Sequence, residues 1–143
     1  MKLNTGKIGF LIEFDNGDKQ SIFFNPNDPD LMVRMSHLEE KINEHVKEME
    51  DVALDEEGNP IEEKQIKLFE EMQEIVKKEL DYAFGGDISA VVFKHCSPFA
   101  IVGDEYFIVQ FIRAITPEIV KHVKQATIDT AKRMEKHIQK YKK

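Results

Sequence analysis

His95 and Cys96 stand side by side in FGGDISAVVFKHCSPF (84–99), and an imidazole beside the only cysteine is the pairing in this chain that could make an activated thiolate. Nucleophilic catalysis of that kind needs the ring within reach of the sulfur, and such partners converge from distant parts of a chain. Adjacent residues seldom aim their side chains at each other. Cys96 is therefore expected to be a small buried hydrophobe, and His95 and Cys96 are not expected to form a dyad.

Other chemistries find less support. His37 and His45 lie eight apart, His122 and His137 fifteen apart, and no pair has the i, i+4 spacing that puts two zinc ligands on one helical face. His45 falls in an apolar seam, where a satisfied, partly buried histidine is the simpler reading. Gly85-Gly86 lacks the following glycines and lysine that would turn several backbone N–H groups onto a phosphate. The many carboxylates sit in solvated runs, without the apolar packing that would raise one pKa and leave its neighbour ionised. The sequence leads to a non-enzyme with no catalytic residue, no metal and no cofactor.

The elements that carry these residues are easier to read. A chain of 143 residues suits one domain, since at about 150 residues roughly 70% of the unfolded surface is buried. Ile8, Phe10, Ile12 and Phe14 alternate at period two, Asn16-Gly17 offers a positive-φ pair for a tight turn, and Ile22 and Phe24 resume the alternation. A β-hairpin follows over 1–27. Asp28-Pro29-Asp30 gives a cap, a proline at the first helical position and an acid at the positive end of the dipole. Leu31, Met35, Leu38, Ile42, His45, Met49 and Val52 then recur at four and three, the seam of a helix that packs lengthwise on one partner.

Gly58-Asn59-Pro60 breaks that helix. A second runs through Ile66, Phe69, Met72, Ile75, Val76, Leu80 and Ala83 until Gly85-Gly86 stops it, so 28–84 reads as an antiparallel helical hairpin. Asp87 is positioned to cap a short turn, SAVVF, which Ser97-Pro98 ends. EYFIVQFIRAI is apolar nearly all round and reads as a helix buried on most sides, completing a module at 85–115. Thr116-Pro117-Glu118 repeats the cap, proline and acid signal and predicts a new, basic helix over 116–143 whose far half projects. The fold class is mainly α, α+β.

Charge narrows the partners. Residues 1–120 hold 12 Lys and Arg against 25 Asp and Glu, whereas 121–143 hold 8 against 2. An acidic body disfavours nucleic acid, and no apolar run approaches the roughly 20 residues that span a bilayer. The N-terminus turns acidic at Glu13 before any signal-peptide cleavage pattern, and a lone cysteine makes no internal disulfide, so a cytoplasmic chain is expected. Protein partners remain. Phe93, Phe107 and Phe111 are assigned to the core, while Phe84, Phe99 on its Ser-Pro loop and Tyr106 are candidates for a contact surface. Lys132, Arg133, Lys136 and Lys140 border a narrow stripe of Met134, Ile138 and Tyr141 and form a candidate arm for docking on acidic surface, including that of another copy.

Read from FGG to the end, the chain resembles the tail assembly chaperones of long-tailed (siphovirus-type) bacteriophages and prophages. The likeness covers about 80–143 and rests on a helix ending in FGG, a capped turn closing on VF, a Ser-Pro loop, an aromatic helix with F-x-x-A, then Pro-Glu-Ile and a long lysine-rich helix. FKHCSP departs from it, standing where a small residue such as glycine would follow VF. The resemblance implies a non-enzymatic assembly factor that coats the tape measure protein before the tube forms, recruits tail tube subunits and is absent from the mature virion. It also implies self-association and a longer, frameshifted product that binds the tube subunits. A small cytosolic adaptor that binds one partner helix is the alternative from another class.

Overall fold

The computed structural model of the chain describes residues 1–53 and 63–141, with only the backbone at 52–53 and 63–64 and, beyond Gln125, only the backbone and Asp129. It is a mainly α, α+β fold in which two small hairpins lie against helices. β1 (Ile8–Glu13) and β2 (Lys19–Phe24) pair antiparallel, with Phe10 opposite Ile22 and Ile8 opposite Phe24. Period two sends Phe10, Ile22 and Phe24 into the core and leaves Leu11 and Phe23 on the solvent face.

The turn differs from the predicted one. Gly17 takes a positive φ of 88° but Asn16 does not, and Phe14 N–H donates to the Asp18 carbonyl across a three-residue loop. That is a type I turn closed by a glycine in the left-handed region, which needs one such residue rather than two.

α1 (Pro29–Ala53) starts where the Asp-Pro-Asp signal placed it, with Asp28 Oδ1 accepting the Asp30 N–H at 3.0 Å. α2 (Glu63–Phe84) packs against it, and the pairing runs antiparallel: Arg34 lies over the Tyr82 ring, while His45 meets Glu79. Leu31, Met35, Leu38 and Ile42 face Met72, Val76, Leu80 and Ala83 in one buried seam. The predicted break at Gly58-Asn59-Pro60 falls outside the described residues. Gly85 ends α2 at φ 73°, its N–H donating to Tyr82 and that of Gly86 to Asp81, the paired bonds of a Schellman cap.

α3 (Ser89–Val92) is a single turn, and Asp87 does not cap it. Asp81, from the last turns of α2, does so instead: its carboxylate accepts the Ser89 N–H and the Ser89 hydroxyl, each at 2.7 Å. Rising from eight residues upstream, this carboxylate joins the end of one helix to the start of the next.

β3 (Ile101–Val102) and β4 (Glu105–Tyr106) form a second, two-pair hairpin around Gly103-Asp104, so Glu105 and Tyr106 are not helical as predicted. α4 (Phe107–Tyr141) then begins, its first N–H groups donating to the carbonyls of Ala100 and Pro98. No new helix begins at Thr116. α4 runs through Pro117 without a break, because Ile112, Ile115 and Ile119 are buried on both sides of it and the Thr116 hydroxyl bonds back to the Ile112 carbonyl at 2.6 Å. A proline inside a helix costs about 3 kcal/mol, which the burial of two or three isoleucines at about 1.5–3 kcal/mol each offsets. The first turns of α4 are buried on one face only, with Gln110, Arg113 and Ala114 exposed.

Aromatic rings link these layers. Phe10 stacks on Phe24 at 4.4 Å, Phe24 meets Phe84 edge-on at 4.8 Å, and Phe84 leans on Phe111 of α4. His122, one turn beyond Ile119, closes the row edge-on against Phe10 at 5.2 Å.

Candidate interaction groove

The His95 and Cys96 stretch lies beside the turn of the first hairpin. Asn16 Nδ2 donates to His95 Nδ1 at 3.3 Å and His95 Nε2–H donates to Asp18 Oδ2 at 2.7 Å, so one neutral tautomer satisfies both contacts. Lys94 Nζ reaches the same Asp18 oxygen at 3.0 Å, Gln20 donates to its other oxygen, and the Phe14 ring lies edge-on against the imidazole. His95, then Lys94 and Gln20, hold the Asp18 carboxyl well below the usual carboxylate range.

Cys96 is half-buried, and burial, with the negative charge of Asp15 adding to it, pushes its thiol pKa up. A thiolate nucleophile needs the opposite shift. The imidazole is engaged by the hairpin turn, and what the sequence offered as a possible dyad is a fastening between two loops.

Of the aromatic contact candidates, Phe84 and Phe99 are buried and Tyr106 is half-buried. Phe99 is buried, 7% exposed, with its ring edge-on to Tyr106 at 5.7 Å, because the Ser-Pro loop folds back onto the start of α4. Phe84 is buried at the centre of the aromatic row, 3% exposed. Tyr106 is half-buried on β4. Phe111 is in the core, while Phe93 and Phe107 pack against it edge-on to each other. The arm candidates Lys132, Arg133, Lys136 and Lys140 lie on the backbone of α4, and their side chains lie outside the described residues.

His45 sits partly buried in the α1–α2 seam with Nε2 3.3 Å from Glu79 Oε1, but it is not the fully satisfied histidine expected, because its Nδ1 and Glu79 Oε2 are buried without a hydrogen-bond partner. Among the described residues no group of three His, Cys, Asp or Glu is placed to hold a metal, and no helix is long and apolar enough to cross a membrane.

Among the described residues, a groove of about 480 Å³ lies between α1 and α4. Ile42, Val109, Ile112 and Pro117 supply apolar walls, and Glu39, Asn43, Arg113 and Thr116 supply polar ones. Its size falls in the range of about 300–1,000 Å³ common to binding sites. Arg113 pairs with Glu105, which draws its guanidinium toward β4. Glu39 has no ion-pair partner among the described residues. Sequence periodicity missed this groove because its walls come from helices more than 60 residues apart; the break in helical continuity predicted at Thr116-Pro117 hid it further. An open trough with apolar walls and polar groups among them can take the stripe of an amphipathic helix. Comparison of the chain with protein-family models, with curated proteins and with solved structures found no match.

Proposed function

We propose that this protein is a non-enzymatic tail assembly chaperone of a long-tailed bacteriophage or prophage, acting in the host cytoplasm by occupying apolar helical stripes of the tape measure protein. The observation that carries the reading is the α1–α4 groove, whose apolar walls and unpaired Glu39 suit a helix that presents apolar and basic residues together. A tape measure protein exposes such stripes over hundreds of residues until the tube encloses them, and uncovered surface of that kind aggregates. The FGG, VF, Ser-Pro and Pro-Glu-Ile succession of 84–119 supports the same reading. Recruitment of tube subunits, through a longer frameshifted product, belongs to the proposal.

The test is co-expression with the tape measure protein encoded in the source genome, followed by native mass spectrometry. A soluble complex with many copies of this chain, lost when Asn43→Trp fills the groove, is the expected result. A single copy bound to one short helix would point to the adaptor function, and a tape measure protein that precipitates regardless would refute the chaperone reading.

A further inference from the structure

We infer that Glu39 selects a lysine or arginine on the docked helix, and that Glu105, from outside the groove, leaves Glu39 free to do so by holding Arg113 aside. The inference rests on the reading of the groove as a helix-docking site, and it adds which helices that site accepts.

Two opposite charges line the groove, Glu39 on the α1 wall and Arg113 on the α4 wall. A guanidinium on a long stem and a carboxylate across one trough are suited to pair with each other. They do not. Arg113 pairs with Glu105 of β4, and Glu39 makes no ion pair among the described residues.

Burial decides which carboxylate takes the arginine. The Glu105 side chain is 15% exposed, whereas Glu39 lies open to water. A carboxylate withdrawn from water loses more without a partner than one that keeps its hydration, so the guanidinium goes to Glu105. The Arg113 side chain is itself 71% exposed, so the pair rather than packing fixes where its head lies.

A docked helix changes the balance at Glu39, because it covers the carboxylate together with Ile42, Val109, Ile112 and Pro117. A lysine or arginine bordering the apolar stripe of that helix gives Glu39 the partner it lacks. A neutral residue there leaves a covered charge unpaired, and an acid repels it, so the site selects by rejection as much as by attraction. The surrounding charge favours the same class of helix: residues 1–120 carry 12 Lys and Arg against 25 Asp and Glu, a net −13. Were Arg113 released, Glu39 would meet the chain's own arginine and the groove would lose its negative charge.

Isothermal titration calorimetry on the full chain, at about 150 mM salt to screen long-range attraction, tests this. The probes are three designed helical peptides that share one leucine stripe and differ only in the residues bordering it, all lysine, all glutamine or all glutamate. Wild type is expected to bind the lysine peptide at least about tenfold more tightly than the glutamate peptide, with the glutamine peptide between them. Glu39→Gln should bring the three within about threefold of one another. Glu105→Gln should lose the preference as well, and the double variant Glu105→Gln, Arg113→Gln should regain it, a rescue that a merely structural role for Glu105 in β4 would not give. If far-UV circular dichroism shows Glu105→Gln to be misfolded, the shorter Glu105→Asp replaces it.

A wild type that binds the three peptides equally, a Glu39→Gln chain that keeps the preference, or a double variant that behaves like Glu105→Gln would each overturn the inference. The docking reading fails separately: if none of the peptides binds wild type, or if Asn43→Trp binds them all as wild type does, the groove is not a helix site and the inference falls with it, whereas binding without charge preference leaves the docking reading standing.

Discussion

Replacing Asp81 by alanine tests the least local contact in the fold. Its carboxylate accepts the Ser89 N–H and the Ser89 hydroxyl, both at 2.7 Å, and Ser89 is buried. A hydrogen bond to a charged acceptor contributes about 1.5–3 kcal/mol, and a buried donor stripped of its partner costs about 1–3 kcal/mol. Asp81 is itself partly exposed, so water recovers some of the loss, and the expected destabilisation is about 2–4 kcal/mol. At a few degrees per kcal/mol for a chain of this size, Tm should fall by roughly 10 °C.

Asp87→Ala, at an exposed position with no bond to α3, should stay within about 0.5 kcal/mol of wild type. Urea titrations followed at 222 nm measure both, and the double variant Asp81→Ala, Ser89→Ala should cost less than the two single changes summed. Equal losses for Asp81→Ala and Asp87→Ala, or a larger loss for Asp87→Ala, would refute the assignment of the cap to α2.

Further outcomes follow from the same geometry. Asp18 is held in its charged form by His95, Lys94 and Gln20, so its folded pKa lies below its unfolded value of about 3.9; the stability it contributes is fully present above that value and is lost as pH falls below it and through the folded pKa. Asp18→Asn should therefore lower Tm at pH 7, with the gap to wild type narrowing as pH falls below about 4, and a gap that stays constant from pH 7 to pH 2 would count against the contact. Pro117→Ala should stabilise the chain by about 1–3 kcal/mol by restoring the N–H that an interior helix position lacks; thermal unfolding checks the sign, and a loss would mean that packing at Pro117 outweighs the missing bond. Cys96, its thiol pKa raised by burial and by Asp15, should alkylate more slowly with iodoacetamide at pH 7.5 than a free thiol does, and faster reaction would contradict that environment.

What could be read from the sequence divides along physical lines. The first hairpin, the start of α1, the seam and the FGG stop were legible because each is written in contiguous residues: period two from Ile8 to Phe14, the Asp-Pro-Asp cap, the recurrence from Leu31 to Ile42, glycine where φ is positive. Asp87 was the natural local cap, and only the three-dimensional return of α2 brings Asp81 to Ser89.

Thr116-Pro117-Glu118 has the composition of a helix start. A buried isoleucine stripe on both sides overrode it, and a side-chain bond to Ile112 accommodated it. The second hairpin did carry a signal, Gly103-Asp104 between Val102 and Glu105, which the apolar run beyond it masked. Phe99 failed differently: an aromatic on a loop faces water or core according to where the loop folds, and here the Pro98 and Ala100 carbonyls fold it onto α4. The groove needed two distant helices and was beyond any local pattern.

The unbroken α4 also has a mechanical consequence. From Val123 to Tyr141 it extends about 27 Å past its last described side-chain packing as a continuation of the same helix. A tilt of about 10° at Pro117, the last residue of the groove wall, would sweep the last turn of a straight helix by roughly 6 Å over a lever of about 36 Å. Whatever wedges between α1 and α4 thus moves the far end of the chain by an amount that a distance probe at Tyr141 could read, without any other element having to transmit the motion.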